Sequence, residues 1–350
     1  MEKVQLLGMT AEEREAFVLE TLGEKKFRAQ QIGQWLKAGA DISEMTNLSA
    51  ALRAKMAEVC VANPVRIERA LKSKLDETEK FLYALQDNNI VEGVVMRYKY
   101  GDTLCVSTQV GCRMGCAFCA STLDGRVRNL TAGELLGQVV AVNRHIQAED
   151  PARRVHNIVL MGSGEPFDNY DNVVRFLKLV NDPEGLNISL RNISLSTCGI
   201  VPKMLTFAEE GLPVTLSLSL HAPNDAIRRE IMPVANAYPY DRVLAACRNY
   251  VEKTGRRVVF EYALIRDVNC APEHAELLAK QLHGLQCHVN LIPLNDVKER
   301  NLRAPEKKQV DAFLKRLTQR GVSATVRREM GADIEGACGQ LRRKVLNNDR

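Results

Sequence analysis

The sequence predicts an α/β fold: a partial (β/α)6 barrel, joined by a β-strand linker to a small N-terminal helical domain. Three patterns predict it. Residues 1–60 hold only helical spacing, and residues 61–100 switch to alternation around a turn. Residues 101–350 then run through six short apolar strands separated by helices.

The N-terminal stretch MTAEEREAFVLETLG spaces its apolar residues helically and stops at Gly, and FRAQQIGQWLKAG and LSAALRAKMAEVC read as two further helices. Phe27, Arg28 and Trp35 are candidates to touch nucleic acid, although Trp35 reads better as the core anchor of this unit. In the linker, Phe81, Tyr83 and Leu85 alternate with polar residues. Asp87-Asn88-Asn89 marks a turn, and IVEGVVMRY resumes the strand pattern. The barrel strands are expected at residues 104–109, 156–161, 192–197, 214–220, 258–265 and 288–294, with a further edge strand at 322–329. Helices are expected to start near Thr131, Asn169, Pro202, Tyr240, Pro272 and Pro305, and Thr131 with Glu134 has the capping-box pattern. Six β–α units are too few for a closed eight-fold barrel, so an open one is expected.

The chain has 350 residues, 45% apolar and 26% charged, the balance of an ordinary globular protein. It has no apolar run long enough to cross a bilayer, and its N-terminus lacks a signal-peptide layout. A cytoplasmic protein is the resulting expectation, with a monomer as the default state. The net charge is +5, and the excess lies in the last 150 residues, with 24 basic against 18 acidic side chains. Arg327, Arg328, Arg342, Arg343 and Lys344 contribute to it, which suits a polyanionic partner.

Ten cysteines in a reducing compartment argue for metal or thiol chemistry. Cys60, Cys198, Cys247, Cys270 and Cys287 stand singly in apolar surroundings and read as buried small hydrophobes. Cys112, Cys116 and Cys119 differ. Their Cys-x3-Cys-x2-Cys loop follows the first barrel strand, and no fourth Cys or His lies near it for a structural zinc. Three thiolates leave one iron of a [4Fe–4S] cluster open, which is what radical S-adenosylmethionine (SAM) enzymes require.

In βα folds, ligands bind at the C-terminal ends of the strands. Gly164, Glu165, Ser196, Ser219, Leu220, His221 and Asn295 all fall at such ends. Gly164 lets backbone approach a ligand, and the serines, His221 and Asn295 supply hydrogen bonds. Singly, His221 could instead cap a helix and Asn295 could be a turn residue.

The chain resembles the RlmN/Cfr family of radical SAM RNA adenine methyltransferases over nearly its whole length. The features that carry this are LCVSTQVGCRMGCAFCAST, RNLTAGEL, MGSGEP, the S-L-S-L-H-A stretch, NLIPLN and GADIEGACGQL. The resemblance implies a [4Fe–4S] cluster on Cys112, Cys116 and Cys119, with SAM as methyl donor and radical source. Glu165 and its backbone would receive the SAM ammonium. It implies methylation of adenine C2 in 23S ribosomal RNA and in tRNA beside the anticodon, with flavodoxin or ferredoxin as electron donor. Adenine C2 and C8 are electron-poor and cannot attack a SAM methyl group. In the resembled family, the methyl is first parked on the residue matching Cys338. A radical made there adds to the base, the match of Glu92 takes a proton, and the match of Cys105 resolves the protein–RNA thioether through a disulfide. Methylation at C8 uses the same cysteines and stays open. A non-catalytic iron–sulfur RNA-binding protein and a radical SAM enzyme for a small metabolite are the remaining alternatives.

Overall fold

The computed structural model describes residues 3–295, 297–336, 340–341 and 344–345. The N-terminal unit comprises β1 (Val4–Gln5), α1 (Ala11–Glu20), α2 (Phe27–Lys37), α3 (Ala50–Val59) and β2 (Cys60–Val61), which pairs in parallel with β1. Thr10 and Glu13 form a capping box on α1, and Ser49 caps α3. Trp35 packs against the core and donates from Nε1 to Asn47 Oδ1 at 2.7 Å, whereas Phe27 is half exposed beneath the Arg28 guanidinium. The unit is tied down: Arg175 donates to Gly8 O, and Arg144 pairs with Glu44 at 2.6 Å.

Next come β3 (Val65–Lys72), β4 (Glu79–Leu85), β5 (Asn89–Tyr98) and β6 (Gly101–Cys105), an antiparallel meander. The chain continues through β7 (Gln109–Gly111), β8 (Arg126–Asn129), α4 (Ala132–Glu149), β9 (Val155–Leu160) and α5 (Tyr170–Asn181). β10 (Ile193–Thr197), α6 (Val201–Glu209), β11 (Thr215–Ser219), α7 (Asp225–Ile231), α8 (Tyr240–Thr254) and β12 (Val258–Leu264) follow. The last elements are α9 (Pro272–Leu282), β13 (Cys287–Pro293), α10 (Lys307–Gln319), β14 (Ala324–Val326) and β15 (Lys344–Val345). Among the described residues, no helix is long and apolar enough to cross a membrane.

The main sheet runs β14-β13-β12-β11-β10-β9-β6-β5-β4-β3, with β15 also pairing with β5. Strands β6, β9, β10, β11, β12 and β13 are parallel neighbours in chain order, and β14 adds a seventh parallel strand. The path is open, since its ends β14 and β3 do not pair. The Thr131–Glu134 capping box forms and starts α4. Residues 65–98, expected as a linker, supply three strands of this same sheet. α7 was not anticipated; it is seven residues long and starts at Asn224, whose side chain accepts from Ile227 N. The cap that His221 could have supplied is therefore made by Asn224.

Candidate active site

Strands β7 and β8 form a short hairpin at the C-terminal edge of the barrel, and the three-cysteine loop is the connection between them. Several contacts hold that loop. Cys112 N donates to Gly125 O at 3.0 Å, and Ala117 N donates to Ile231 O at 2.9 Å. Thr122 Oγ1 donates to Cys119 O at 2.9 Å, and Asp168 accepts from Arg113, Arg126 and Gln109. Cys112 and Cys116 are buried and Cys119 is half-buried. All three line one cleft of about 950 Å3, open to solvent, a size suited to a small-molecule ligand.

Gly164, Glu165, Ser196, Ser219, His221 and Asn295 line the same cleft, although they come from four different strand ends. Gly164 is there for packing as well as for access. It sits at φ +108°, and a Cβ would stand 2.7 Å from Gln109 N and Cβ. Buried Glu165 accepts from Thr197 Oγ1 and Cys198 N, each at 2.7 Å, and from Phe167 N at 3.0 Å. Burial raises its carboxyl above the usual range against those bonds. With four lone-pair positions on a carboxylate, it retains capacity for one more donor. Ser196 and Ser219 face each other, Oγ to Oγ 3.3 Å apart. His221 Nδ1 accepts from Ala263 N at 2.9 Å, so its ring proton sits on Nε2. Burial, helped by the Arg228 charge, pushes its pKa down to about 3 and keeps the ring neutral. Leu220 does not reach the cleft. It is fully buried, its N–H donates to Glu261 O, and its carbonyl accepts from Arg228 Nε.

The donor set fits an anionic cluster. Burial pushes the Cys112 thiol up to about 12 and the Cys116 thiol well above its ordinary value, and the neighbouring cysteines add to both. The free thiols therefore keep their protons, and binding a metal would displace them. Behind them lies Arg228, 0% exposed. Its Nη2 donates to Cys198 O at 2.6 Å, but its Nη1 has no hydrogen-bond partner, and no carboxylate pairs with it among the described residues. A buried cation so placed costs several kcal/mol without a counter-charge. A cluster held by the Cys116 thiolate and its neighbours would bring the negative charge that offsets this burial.

A second cleft of about 870 Å3 adjoins the first, sharing Met161, Ile292, Leu294, Asn295 and Arg327 with it. Cys105 stands in this second cleft, packed with Val94 and Leu341. Cys338 lies outside the described residues, as do Arg342 and Arg343. Gly336 and Leu341, on either side of Cys338 in the chain, both line the Cys105 cleft, and Leu341 O accepts from Ser121 Oγ at 2.6 Å. Glu92 is fully buried and lines neither cleft. It lies on β5 two residues before Val94, which pairs with Cys105, and therefore on the same face. Its carboxylate pairs with the Lys80 ammonium at 3.1 Å, and Lys80 also donates to Glu335 O.

The fold and this geometry agree with known proteins. Residues 106–278 match the radical SAM superfamily, and residues 4–62 match the ribosomal RNA large subunit methyltransferase N-terminal domain. A protein of Alkaliphilus oremlandii described as "probable dual-specificity RNA methyltransferase RlmN" is 52% identical over 349 residues, covering 99% of this chain and all of the relative. The chain belongs to the RlmN family of radical SAM RNA methyltransferases. A likewise described protein of Clostridium novyi is 50% identical over 93% of this chain and 94% of its own length. A crystal structure of a radical SAM methyltransferase from Sphaerobacter thermophilus superposes with a TM-score of 0.93 at 43% identity, covering 97% of this chain and 99% of that one. As members of this family do, the enzyme uses a [4Fe–4S] cluster and SAM to methylate RNA.

Sequence reasoning missed several residues of the site. Glu261 is buried in the wall of the first cleft, accepting from Asn290 and paired with Arg327 at 3.4 Å. Its signal was available: it is the one charge in the apolar run VVFEYALI. Cys198, read as a plain buried hydrophobe, lines the cluster cleft beside Glu165. Arg228 had no signal, being one of two adjacent arginines in a short polar segment.

Proposed function

We propose that this RNA methyltransferase acts on C2 of an adenosine in 23S ribosomal RNA and of the adenosine beside the tRNA anticodon. The observation that carries this reading is the pair of joined clefts: three cysteines in one, and in the other Cys105 with the chain on both sides of Cys338. Cys112, Cys116 and Cys119 hold the cluster. Gly164, Glu165, Ser196, Ser219, His221 and Asn295 hold SAM, with the His221 Nε2 proton and the spare Glu165 lone pair offered to its polar groups. Leu220 positions Ser219 and His221 from the core. When bound, the cluster and SAM would supply a 5′-deoxyadenosyl radical and would take back one electron from the adduct. Cys338 accepts a methyl group from SAM, and that methyl, after giving up a hydrogen atom, bonds to adenine through its carbon, leaving a sulfur–methylene–adenine link. Glu92 accepts the proton released from the adducted carbon. The Cys105 thiolate then attacks the Cys338 sulfur; the carbon–sulfur bond breaks, the departing carbon takes up a proton to become the methyl group, and the transient disulfide is reduced again by an external thiol as methylated RNA leaves. Residues 1–60 and the basic C-terminal region bind RNA, and residues 101–350 carry out the chemistry. The protein works in the cytoplasm as a monomer, reduced by a flavodoxin or ferredoxin.

The test is Cys105→Ala. This variant is expected to accumulate a nuclease-sensitive protein–RNA adduct on a denaturing gel, whereas Cys338→Ala forms none. The opposite pattern reverses the two roles, and methylation by both variants refutes the mechanism. Mass spectrometry of RNA digests from the wild type is expected to give 2-methyladenosine; 8-methyladenosine would overturn the regiochemistry.

A further inference from the structure

The turn from β5 to β6 stands at the mouth of the Cys105 cleft and carries Tyr98, Lys99 and Tyr100. Tyr98 lines the cleft. The Tyr100 ring lies flat against it, with centroids 4.9 Å apart and planes 6° from parallel. Tyr100 is 70% exposed, so this stack ends in an open aromatic face. The turn is seated against β9. Gly101 sits at φ +115°, and a Cβ there would stand 2.7 Å from the His156 ring, so only glycine lets the strand begin where it does. Arg327, Arg328 and Glu329 also line the cleft; Arg328 is exposed, and Arg327 lies within electrostatic reach of Tyr100. An open aromatic face therefore adjoins, through Tyr98, a cleft that contains Cys105 and is lined by two arginines.

That combination matches a single-stranded nucleic acid. An adenosine that enters a pocket leaves the stack, and its neighbour loses a stacking partner. A flat aromatic ring replaces that partner whatever the base, while an arginine takes the adjoining phosphate. We propose that Tyr100, backed by Tyr98, is the stacking platform for the RNA base next to the target adenosine, and that Arg328 binds a phosphate of the same segment. This rests on the reading that an RNA adenosine enters the Cys105 cleft.

The experiment uses reconstituted full-length enzyme and a stem–loop RNA substrate, with 2-aminopurine placed in turn at each neighbour of the target adenosine. Binding is read by anisotropy across a salt series, and stacking by 2-aminopurine quenching. Tyr100→Ala is expected to weaken binding by roughly tenfold, within the range for base–aromatic stacking, and to abolish quenching at one position. Its log–log salt slope should equal that of the wild type, because no charge is lost. Tyr100→Phe and Tyr100→Trp should restore both affinity and quenching. Arg328→Ala should keep the quenching but lower the salt slope by about one. Wild-type affinity and quenching in Tyr100→Ala would overturn the proposal. So would unchanged RNA binding together with slower reduction by flavodoxin, which would give the ring to a protein partner. If the wild type itself failed to bind the RNA, the substrate reading would fall first, and the two failures are thereby told apart.

Discussion

Lys80 and Glu92 form an ion pair with side chains only 2% and 0% exposed, and its energetics can be worked from the structure. At 3.1 Å, and with an effective dielectric of about 20, the two charges attract by about 5 kcal/mol. That attraction offsets the cost of taking both out of water, so the pair contributes little net stability. Removing one partner is another matter, because the remaining charge keeps its desolvation cost. Lys80→Met and Glu92→Gln should each destabilise the protein by about 3–5 kcal/mol. Glu92→Gln belongs at the lower end, since the Lys80 ammonium still donates to Glu335 O at 3.1 Å. The double variant Lys80→Met/Glu92→Gln should lose less than either single one, a coupling of at least about 3 kcal/mol. Urea unfolding followed by circular dichroism gives all four stabilities. Single losses below about 1 kcal/mol that simply add in the double variant would refute the reasoning, since they would mean that the pair is solvated. Glu92→Gln also tests the proposed proton-accepting role of Glu92, under which the variant should yield no methylated product.

Three further outcomes follow from the site. The pKa of His221 is held near 3 in the fold, against about 6.5 in the unfolded chain, so the unfolded state binds the extra proton and stability falls as pH drops from 6.5 towards 3. Between pH 6.5 and 5 the wild type should lose about 1.6 kcal/mol more than His221→Gln, measured by urea unfolding at both pH values. Gly164→Ala forces a side chain to within 2.7 Å of Gln109 at a positive φ, which should cost roughly 1–3 kcal/mol and weaken SAM binding in equilibrium dialysis while leaving iron content unchanged. Replacing Cys112, Cys116 or Cys119 with Ala should abolish the full complement of about four irons and the visible absorption, while Cys198→Ala, in the same cleft, should retain both.

Much of the barrel was legible in the sequence, because burial on both faces of a parallel sheet leaves continuous apolar runs that local pattern records. The strand at residues 258–265 and the capped helix after Thr131 were read almost to the residue. The three-cysteine loop was legible for a different reason: its cysteines are close in the chain, so spacing alone describes them. Strand-end logic also collected Glu165, Ser196, Ser219, His221 and Asn295, since parallel strands place their C-terminal ends together whatever their order. Tertiary structure decided what depends on contacts between distant segments. Residues 65–98 looked like a linker because antiparallel alternation does not say which sheet a strand joins; pairing of β5 with β6 makes them part of the barrel sheet. Leu220 sits beside two cleft residues in the chain yet points into the core, since successive side chains at a strand end face opposite ways. Arg228 and Glu261 gain their meaning only where strands and helices converge, because the cost of a buried charge is set by what surrounds it and local sequence does not carry that. The same holds for Tyr98 and Tyr100, an unremarkable pair in a turn until folding sets them at the mouth of the cleft that contains Cys105.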